Sequence, residues 1–329
     1  MGQRWGRTAA VVLGVTLGLA TAPVGGVAVA AGLTDGVVDG VLDDDSGGTD
    51  RTTWTSKDAA AYWTPERMAA AIAHAPGGTR PRHAPVPPTG ATTGPPAASR
   101  VAPAARHFGG VPSVGVLFTV DKDAKTHHCT ASVVQSPRGN LILTAGHCNP
   151  GPRSAFVPQY RSGAATQPYG IWAIGETFDY ADRGTTGDGA DLDFAFATVA
   201  PDGRGRTLES VTGGNTLTAT PGYTNRVTVI GYPSVRNDPQ DRAVRCDTRT
   251  TRLTGTRQLR MDCGGFYGGT SGSPWLTHFD ERTRTGQVVG LIGGLNGGGP
   301  TGPHSDRTSY SPYFDAAVFD LYARAIQES

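Results

Sequence analysis

Residues Cys263–Leu276 read CGGFYGGTSGSPWL, three small polar residues set among glycines and closed by a proline. Each glycine weakens regular structure by about 0.5–1 kcal/mol. Such a run belongs where backbone approaches something closely, or turns sharply to expose one side chain. Ser271, between Thr270 and Gly272, has the surroundings of an exposed nucleophile. Taken alone, a surface turn is the simpler reading, and the rest of the chain decides.

Two other stretches give that serine a context. GNLILTAGHC at 139–148 carries a strand, LILT, into Ala145-Gly146-His147-Cys148, so an imidazole stands at a strand end among small residues. In GADLDFAFATV, residues 189–199, Asp193 immediately precedes an apolar run that carries its carboxylate toward the interior. Burying a carboxylate is costly without a partner, and a histidine N–H is a fitting one. Asp191 is the competing carboxylate and Asp188 a weaker one; Asp193 is preferred because it abuts the apolar run directly. A serine hydroxyl becomes a competent nucleophile when a base takes its proton. His147 would be that base, with Asp193 fixing its tautomer and stabilising the imidazolium. The glycines then acquire a purpose: backbone N–H groups of Gly269 and Ser271 can converge on a tetrahedral oxyanion, at about 3–4 kcal/mol per donor.

The 329 residues are enough for a large core, and they divide into three. Residues 1–31 open with Arg4 and Arg7, continue through AAVVLGVTLGLA and end in GVAVAA, with an A-x-A site at Ala28–Ala30. That is the pattern of a secretory signal peptide, its apolar centre too short for a membrane span. Residues 32–106 are expected to be a largely disordered propeptide. Within them Thr64-Pro65-Glu66 predicts a short helix to about Ala73, and the Pro/Gly-rich linker from residue 75 to 106 buries too little to fold. From 107 to 329 short runs recur between turns: SVGVLFTV, TASVV, LILT, FAFATV, RVTVIG and GQVVGLIGG. They predict an all-β sandwich or barrel. One helix should follow, capped at Ser311-Pro312, with Phe314, Val318, Leu321 and Ala325 on one face.

Net charge is +1, with acids and bases mixed and no basic block, so nucleic acid is not an expected partner. Export would put the four cysteines in an oxidising compartment. Three pairings are open to them. Cys129 with Cys148 and Cys246 with Cys263 are favoured, because separations of 19 and 17 residues close two short loops, each worth about 3 kcal/mol. His127-His128-Cys129 is too crowded to converge on one ion. No metal, no cofactor and no membrane anchor after signal removal are expected, and the mature protein is expected to be a monomer.

The chain order His147, Asp193, Ser271 is that of chymotrypsin-type β-barrels, unlike the subtilisin or α/β-hydrolase orders. LTAGHC, DLDFAFATV and GGTSGSP resemble the three catalytic blocks of the chymotrypsin-like (trypsin-like) serine proteases. GTSGSP, with VIGYP at 229–233, most resembles their bacterial glutamyl-endopeptidase branch. The resemblance covers about residues 107–329. It implies two six-stranded antiparallel barrels with the site in the cleft between them. It also implies His147 as base, Asp193 as orienting acid, Ser271 as nucleophile, Gly269 and Ser271 as oxyanion donors, and Cys129–Cys148 as the staple of the histidine loop. The expected function is a secreted serine endopeptidase acting on peptide or protein substrates through an acyl-enzyme. An inactive protease-fold binding module and a secreted ester hydrolase are the alternatives.

Three positions depart from that family. Gly146 stands where an alanine is usual. Thr270 replaces the aspartate that receives a freed N-terminal ammonium in trypsin-like members, so activation by such a salt bridge is not expected. Gly293 replaces a serine found near the catalytic aspartate in many members, so Asp193 should be held differently. The resemblance also assigns Gly265, Phe266, Ile292 and Gly293 to the primary specificity pocket. With no carboxylate at Gly265, and with Ile292 and Phe266 where the glutamyl-specific branch carries histidine and a small hydroxyl residue, cleavage after small or medium apolar residues is expected.

Overall fold

Apolar runs separated by glycine-rich turns build two antiparallel sheets in the computed structural model, which describes residues 53–73, 103–120 and 125–328. The expected signal peptide and most of the Pro/Gly linker lie outside the described residues. The strands are β1 (Ile72–Ala73), β2 (Arg106–His107), β3 (Val114–Val120), β4 (Thr126–Val134), β5 (Leu141–Thr144), β6 (Ala155–Pro158), β7 (Trp172–Phe178), β8 (Ala195–Val199), β9 (Thr216–Leu217), β10 (Arg226–Gly231), β11 (Val244–Arg252), β12 (Leu259–Asp262), β13 (Pro274–Asp280), β14 (Thr285–Leu291) and β15 (Thr308–Ser311). The helices are α1 (Ser56–Tyr62), α2 (Pro65–Ala70), α3 (Leu208–Thr212) and α4 (Ala316–Glu328).

The first sheet runs β4-β3-β6-β7-β8-β5, and β5 pairs back onto β4. That closes a six-stranded antiparallel barrel and removes its edges. Leu117, Phe156 and Trp172 are cross-strand neighbours on one face of its wall and Phe118 and Phe196 stand on the other, all essentially without solvent contact. The second sheet carries six antiparallel strands in the order β15-β12-β11-β10-β13-β14, with β9 added to β14 and β2 to β11. Its ends meet across the top: Leu291 N–H donates to Ser311 Oγ at 2.9 Å, and Gly293 N–H donates to the Tyr310 carbonyl at 3.1 Å. Val229, Met261, Trp275 and Val289 form a separate apolar cluster inside it. Helix α4 returns to the first barrel. Phe314, Val318, Leu321 and Ala325 are fully buried, and Tyr322 stacks edge-on against Phe196.

The helix starts later than the sequence implies. Ser311 closes β15 and gives its hydroxyl to the barrel seam, while Asp315 Oδ1 accepts the Ala317 N–H at 3.1 Å at the start of α4. Strand β11, VRCDTRTTR, went unread because its residues are mostly polar. Pairing on both sides, to β10 and β12, makes it a strand.

Upstream of the barrels, α2 is capped at Thr64 as its sequence predicts. The preceding α1, opened by a Thr55–Asp58 capping box, was not foreseen. Both lie on the first barrel. Trp63 is fully buried against Phe118, with ring centroids 5.2 Å apart. Its indole N–H donates to the Arg153 carbonyl at 2.8 Å, and Trp54 donates likewise to Ser154 at 3.0 Å. Strand β1 then pairs in parallel with β4, setting Ile72 opposite His127 and Ala73 opposite His128. Both cysteine pairs join as expected, Cys129–Cys148 and Cys246–Cys263.

His128 ties β4 to the second sheet through a 2.9 Å hydrogen bond from Nε2 to the Tyr232 carbonyl. Burial drives its pKa down to about 4, so the folded imidazole is neutral near pH 7. An unfolded histidine takes up its proton near pH 6.5. The stabilising share of His128 is therefore intact above about pH 6.5 and is lost as pH falls toward 4. Denaturant titrations across that window should give a steeper loss of stability for the parent chain than for His128→Gln. Equal slopes would show that His128 does not carry the linkage.

Candidate active site

The three stretches singled out in the sequence meet at the junction of the two sheets. Strand β5 ends in a tight turn, Gly146–Cys148, that presents His147. Asp193 ends the turn ahead of β8 and has no solvent exposure. Its Oδ1 accepts the His147 backbone N–H at 2.7 Å, and its Oδ2 lies 2.8 Å from His147 Nδ1. A third donor, the Gly294 N–H, reaches Oδ2 at 2.7 Å. Three donors on two oxygens satisfy a carboxylate whose burial would otherwise be prohibitive. They also commit Nδ1 as the donor, leaving Nε2 as the nitrogen able to accept a proton. Asp191 does not join His147; its Oδ1 accepts from Gln258 Nε2 at 2.9 Å.

Ser271 is held from the other side by its backbone. Its carbonyl accepts the Thr130 N–H at 2.8 Å, and the next residue, Gly272, donates to the Ile292 carbonyl at 2.7 Å. Cys148 Sγ lies 3.9 Å from the same Ser271 carbonyl, so the Cys129–Cys148 staple sits beside both the histidine turn and the serine loop. This answers the question the glycines raise. Gly269 and Gly272 have φ of 105° and 85°, which side-chain-bearing residues avoid. A Cβ at Gly269 would come within 2.5 Å of Ser234 N, and one at Gly272 would overlap the Thr130 carbonyl.

Thr130 is the residue that sequence reasoning missed. Its hydroxyl accepts the Tyr232 N–H at 3.0 Å and donates to the Gly269 carbonyl at 3.1 Å. It therefore pins the peptide between the two expected oxyanion donors to the VIGYP turn. The signal was present: a hydroxyl residue directly after Cys129, in a strand otherwise apolar from Ala131 to Val134 apart from Ser132.

The departures from the family pattern have local causes. At Gly146 a Cβ would meet Arg183 Cδ at 2.7 Å, so the arginine stem packs where the methyl would be. Thr270 is nearly buried and spends its hydroxyl on the Tyr267 carbonyl at 2.7 Å. Of the expected pocket residues, Phe266 and Ile292 lie in the apolar cluster of the second sheet. Gly265 donates to Asp306 Oδ2 at 3.4 Å, bringing to that position a carboxylate 41 residues away in sequence.

Residues 129–291 match the trypsin-like peptidase domain. Among solved structures the chain is similar to the protease Anisep from Arthrobacter nicotinovorans, at 22% identity over 68% of this chain and 100% of that one, with a TM-score of 0.57. It is similar too to the thermostable serine protease AL20 from an extremophilic microorganism, at 23% identity over 66% and 98%, with a TM-score of 0.57. A Glu endopeptidase follows at 19% identity over 68% and 97%, with a TM-score of 0.49. No curated protein matches the sequence significantly. The matched domain opens at Cys129 and contains His147, Asp193 and Ser271 in their order. Residues 129–291 are therefore a trypsin-like peptidase domain, the domain of a serine endopeptidase, set in a chymotrypsin-like fold.

Proposed function

We propose that the protein is an exported endopeptidase that cleaves peptide bonds through Ser271, His147 and Asp193. The observation that carries this reading is the pair of hydrogen bonds from one histidine to a fully buried carboxylate, beside a serine on a glycine-lined loop. In this mechanism His147 Nε2 takes the Ser271 hydroxyl proton as Oγ attacks the substrate carbonyl. The resulting oxyanion is met by the Gly269 and Ser271 N–H groups. The imidazolium, steadied by Asp193, returns the proton to the leaving amine, and water then repeats the sequence on the acyl-enzyme. Ser271→Ala should lower kcat by about 10^4–10^6-fold and Asp193→Asn by about 10^4-fold, with the fold retained. Asp191→Asn should stay near the parent rate. Turnover by Ser271→Ala near the parent rate would move the nucleophile elsewhere. The two alternatives separate on substrate: a binding module reacts with no active-site phosphonate, and an ester hydrolase turns over esters but not peptides.

Export is supported by the two disulfides, which persist in oxidising compartments. Residues 32–106 are read as a propeptide, cut between Arg80 and Val111. What supports its inhibitory role is the path of β1. It runs along β4 next to Cys129, and Ala73 is so close to Gly268 that a Cβ there would come within 2.9 Å of it. Gly268 immediately precedes the oxyanion glycine, so a strand at that position competes with the chain of a substrate. A synthetic peptide of residues 53–73 should inhibit the processed enzyme competitively. A peptide with Trp63→Ala should inhibit more weakly, since that side chain is the buried anchor. Secreted active enzyme that still carries Trp54–Met68 in covalent continuity would refute the reading.

For the cleaved bond, Phe266 and Ile292 lie in apolar surroundings where an unpaired charge is costly, with the Asp306 carboxylate held at the Gly265 N–H beside them. A peptide-library profile should favour small or medium apolar residues on the acyl side. Dominance of Glu, or of Arg and Lys, would overturn this, and the latter would assign Asp306, at the Gly265 N–H, as the base of the pocket.

A further inference from the structure

Asp193 receives its third hydrogen bond from a backbone amide, in a family where a serine hydroxyl is common nearby. The reason lies in two adjacent glycines. A Cβ at Gly293 would come within 2.7 Å of Leu291 Cδ1, 3.0 Å of the Asp193 carbonyl and 3.2 Å of Asp193 Oδ2. A side chain there would require Leu291 and Asp193 to give way. With glycine at 293, the donor on Oδ2 is the Gly294 N–H at 2.7 Å.

A peptide N–H can serve the carboxylate only while its turn stays in register with a loop from the other barrel. One buried side chain spans that gap. Gln258 stands in the turn between β11 and β12, where its carbonyl accepts the Leu253 N–H and its N–H donates to Thr256 Oγ1. It is 2% exposed. Its side-chain carbonyl accepts the Leu295 N–H at 3.0 Å, one residue past the amide that serves Asp193. Its side-chain amide donates to Asp191 Oδ1 at 2.9 Å, two residues before Asp193. A further backbone bond, Asn296 N–H to the Thr185 carbonyl at 2.7 Å, joins the same two loops.

We propose that Gln258 is a positioning residue for the triad, clamping the Gly294 turn to the Asp191–Asp193 loop so that a backbone amide replaces the missing serine hydroxyl. Asp191 thereby gains a role distinct from the one it competes for in sequence. It is the acceptor that fixes which way the glutamine amide faces, and so which end meets Leu295. This proposal rests on Asp193 being the carboxylate that orients His147.

The test is a charge-swap pair in the full-length chain, processed as the parent is. Gln258→Glu keeps an acceptor for Leu295 but sets one carboxylate against another at Asp191. Its kcat on a peptide substrate should fall about 10–100-fold, the scale of a misplaced reacting group, with KM within about twofold. Asp191→Asn alone, whose amide oxygen still accepts from Gln258, serves as the reference for the double variant. Asp191→Asn added to Gln258→Glu restores a donor–acceptor pair with reversed polarity and should recover most of the lost kcat. Asp191→Ala, the milder variant should Gln258→Glu fail to fold, should lower kcat several-fold at unchanged KM. Parent-level kcat in both Gln258→Glu and Asp191→Ala would overturn the proposal, as would a defect that the second substitution does not relieve. Asp193→Asn, run alongside, separates the two levels: full activity there defeats the triad assignment itself, whereas its loss with an unaffected Gln258→Glu defeats only the clamp.

Discussion

The hydrogen bonds of one buried threonine join the two barrels at the serine loop. Thr130 uses its N–H on Ser271, its carbonyl on Thr144, and its hydroxyl on both Gly269 and Tyr232. All of these groups are enclosed, and a buried polar group left without a partner costs about 1–3 kcal/mol. The serine loop can therefore hold its shape only if β4 of the first barrel and the Tyr232 turn of the second are both in place. Geometry at the serine loop is coupled in this way to the docking of the two barrels, across which one apolar cluster runs from Phe118 to Leu276 and Val288. The Cys129–Cys148 bridge adds a covalent limit on the same element, next to the histidine turn.

Asp193 is the second point at which the barrels depend on each other. Its donors come from the histidine turn of the first barrel and from the segment after β14 in the second. A carboxylate at zero exposure tolerates no missing donor, so the electrostatic need of one side chain sets the spacing of two loops. Glycine at 146 and at 293 lets those loops close on it, since a Cβ at either position would lie 3.2 Å from one of its oxygens. What reads in sequence as a loosened family pattern is in space a tighter approach.

Much of this was legible from order and local chemistry. A histidine at a strand end, an acid abutting an apolar run and a serine among glycines are each ambiguous, but their order along an all-β chain points to the barrel fold that forms. Short separations favoured, without fixing, the cysteine pairing that forms. The unread parts share a physical cause: they are decided by partners far away in sequence. Gln258, in the polar turn TGTRQ, has nothing to mark it until the loops at 191 and 295 close around it. Asp306 meets Gly265 across 41 residues. The polar strand β11 exists because two neighbours pair with it, and Ser311, a plausible helix cap by residue type, is taken by the barrel seam. Local propensity is a weak prior wherever tertiary hydrogen bonds compete for the same group.

The family departure at Thr270 bears on how such a chain could be kept silent. A buried aspartate at that position would be unsatisfied until a new ammonium arrived, and the site would stay unformed until then. Thr270 needs no such partner, because its hydroxyl is already bonded within its own loop. The histidine–aspartate pair and the glycine loop are assembled while residues 53–73 remain docked on the first barrel. On the proposed reading of residues 32–106 as a propeptide, restraint of this site would then come from steric cover and not from a missing salt bridge, and the strand next to the serine loop is Ile72–Ala73, paired along β4 and close to Gly268.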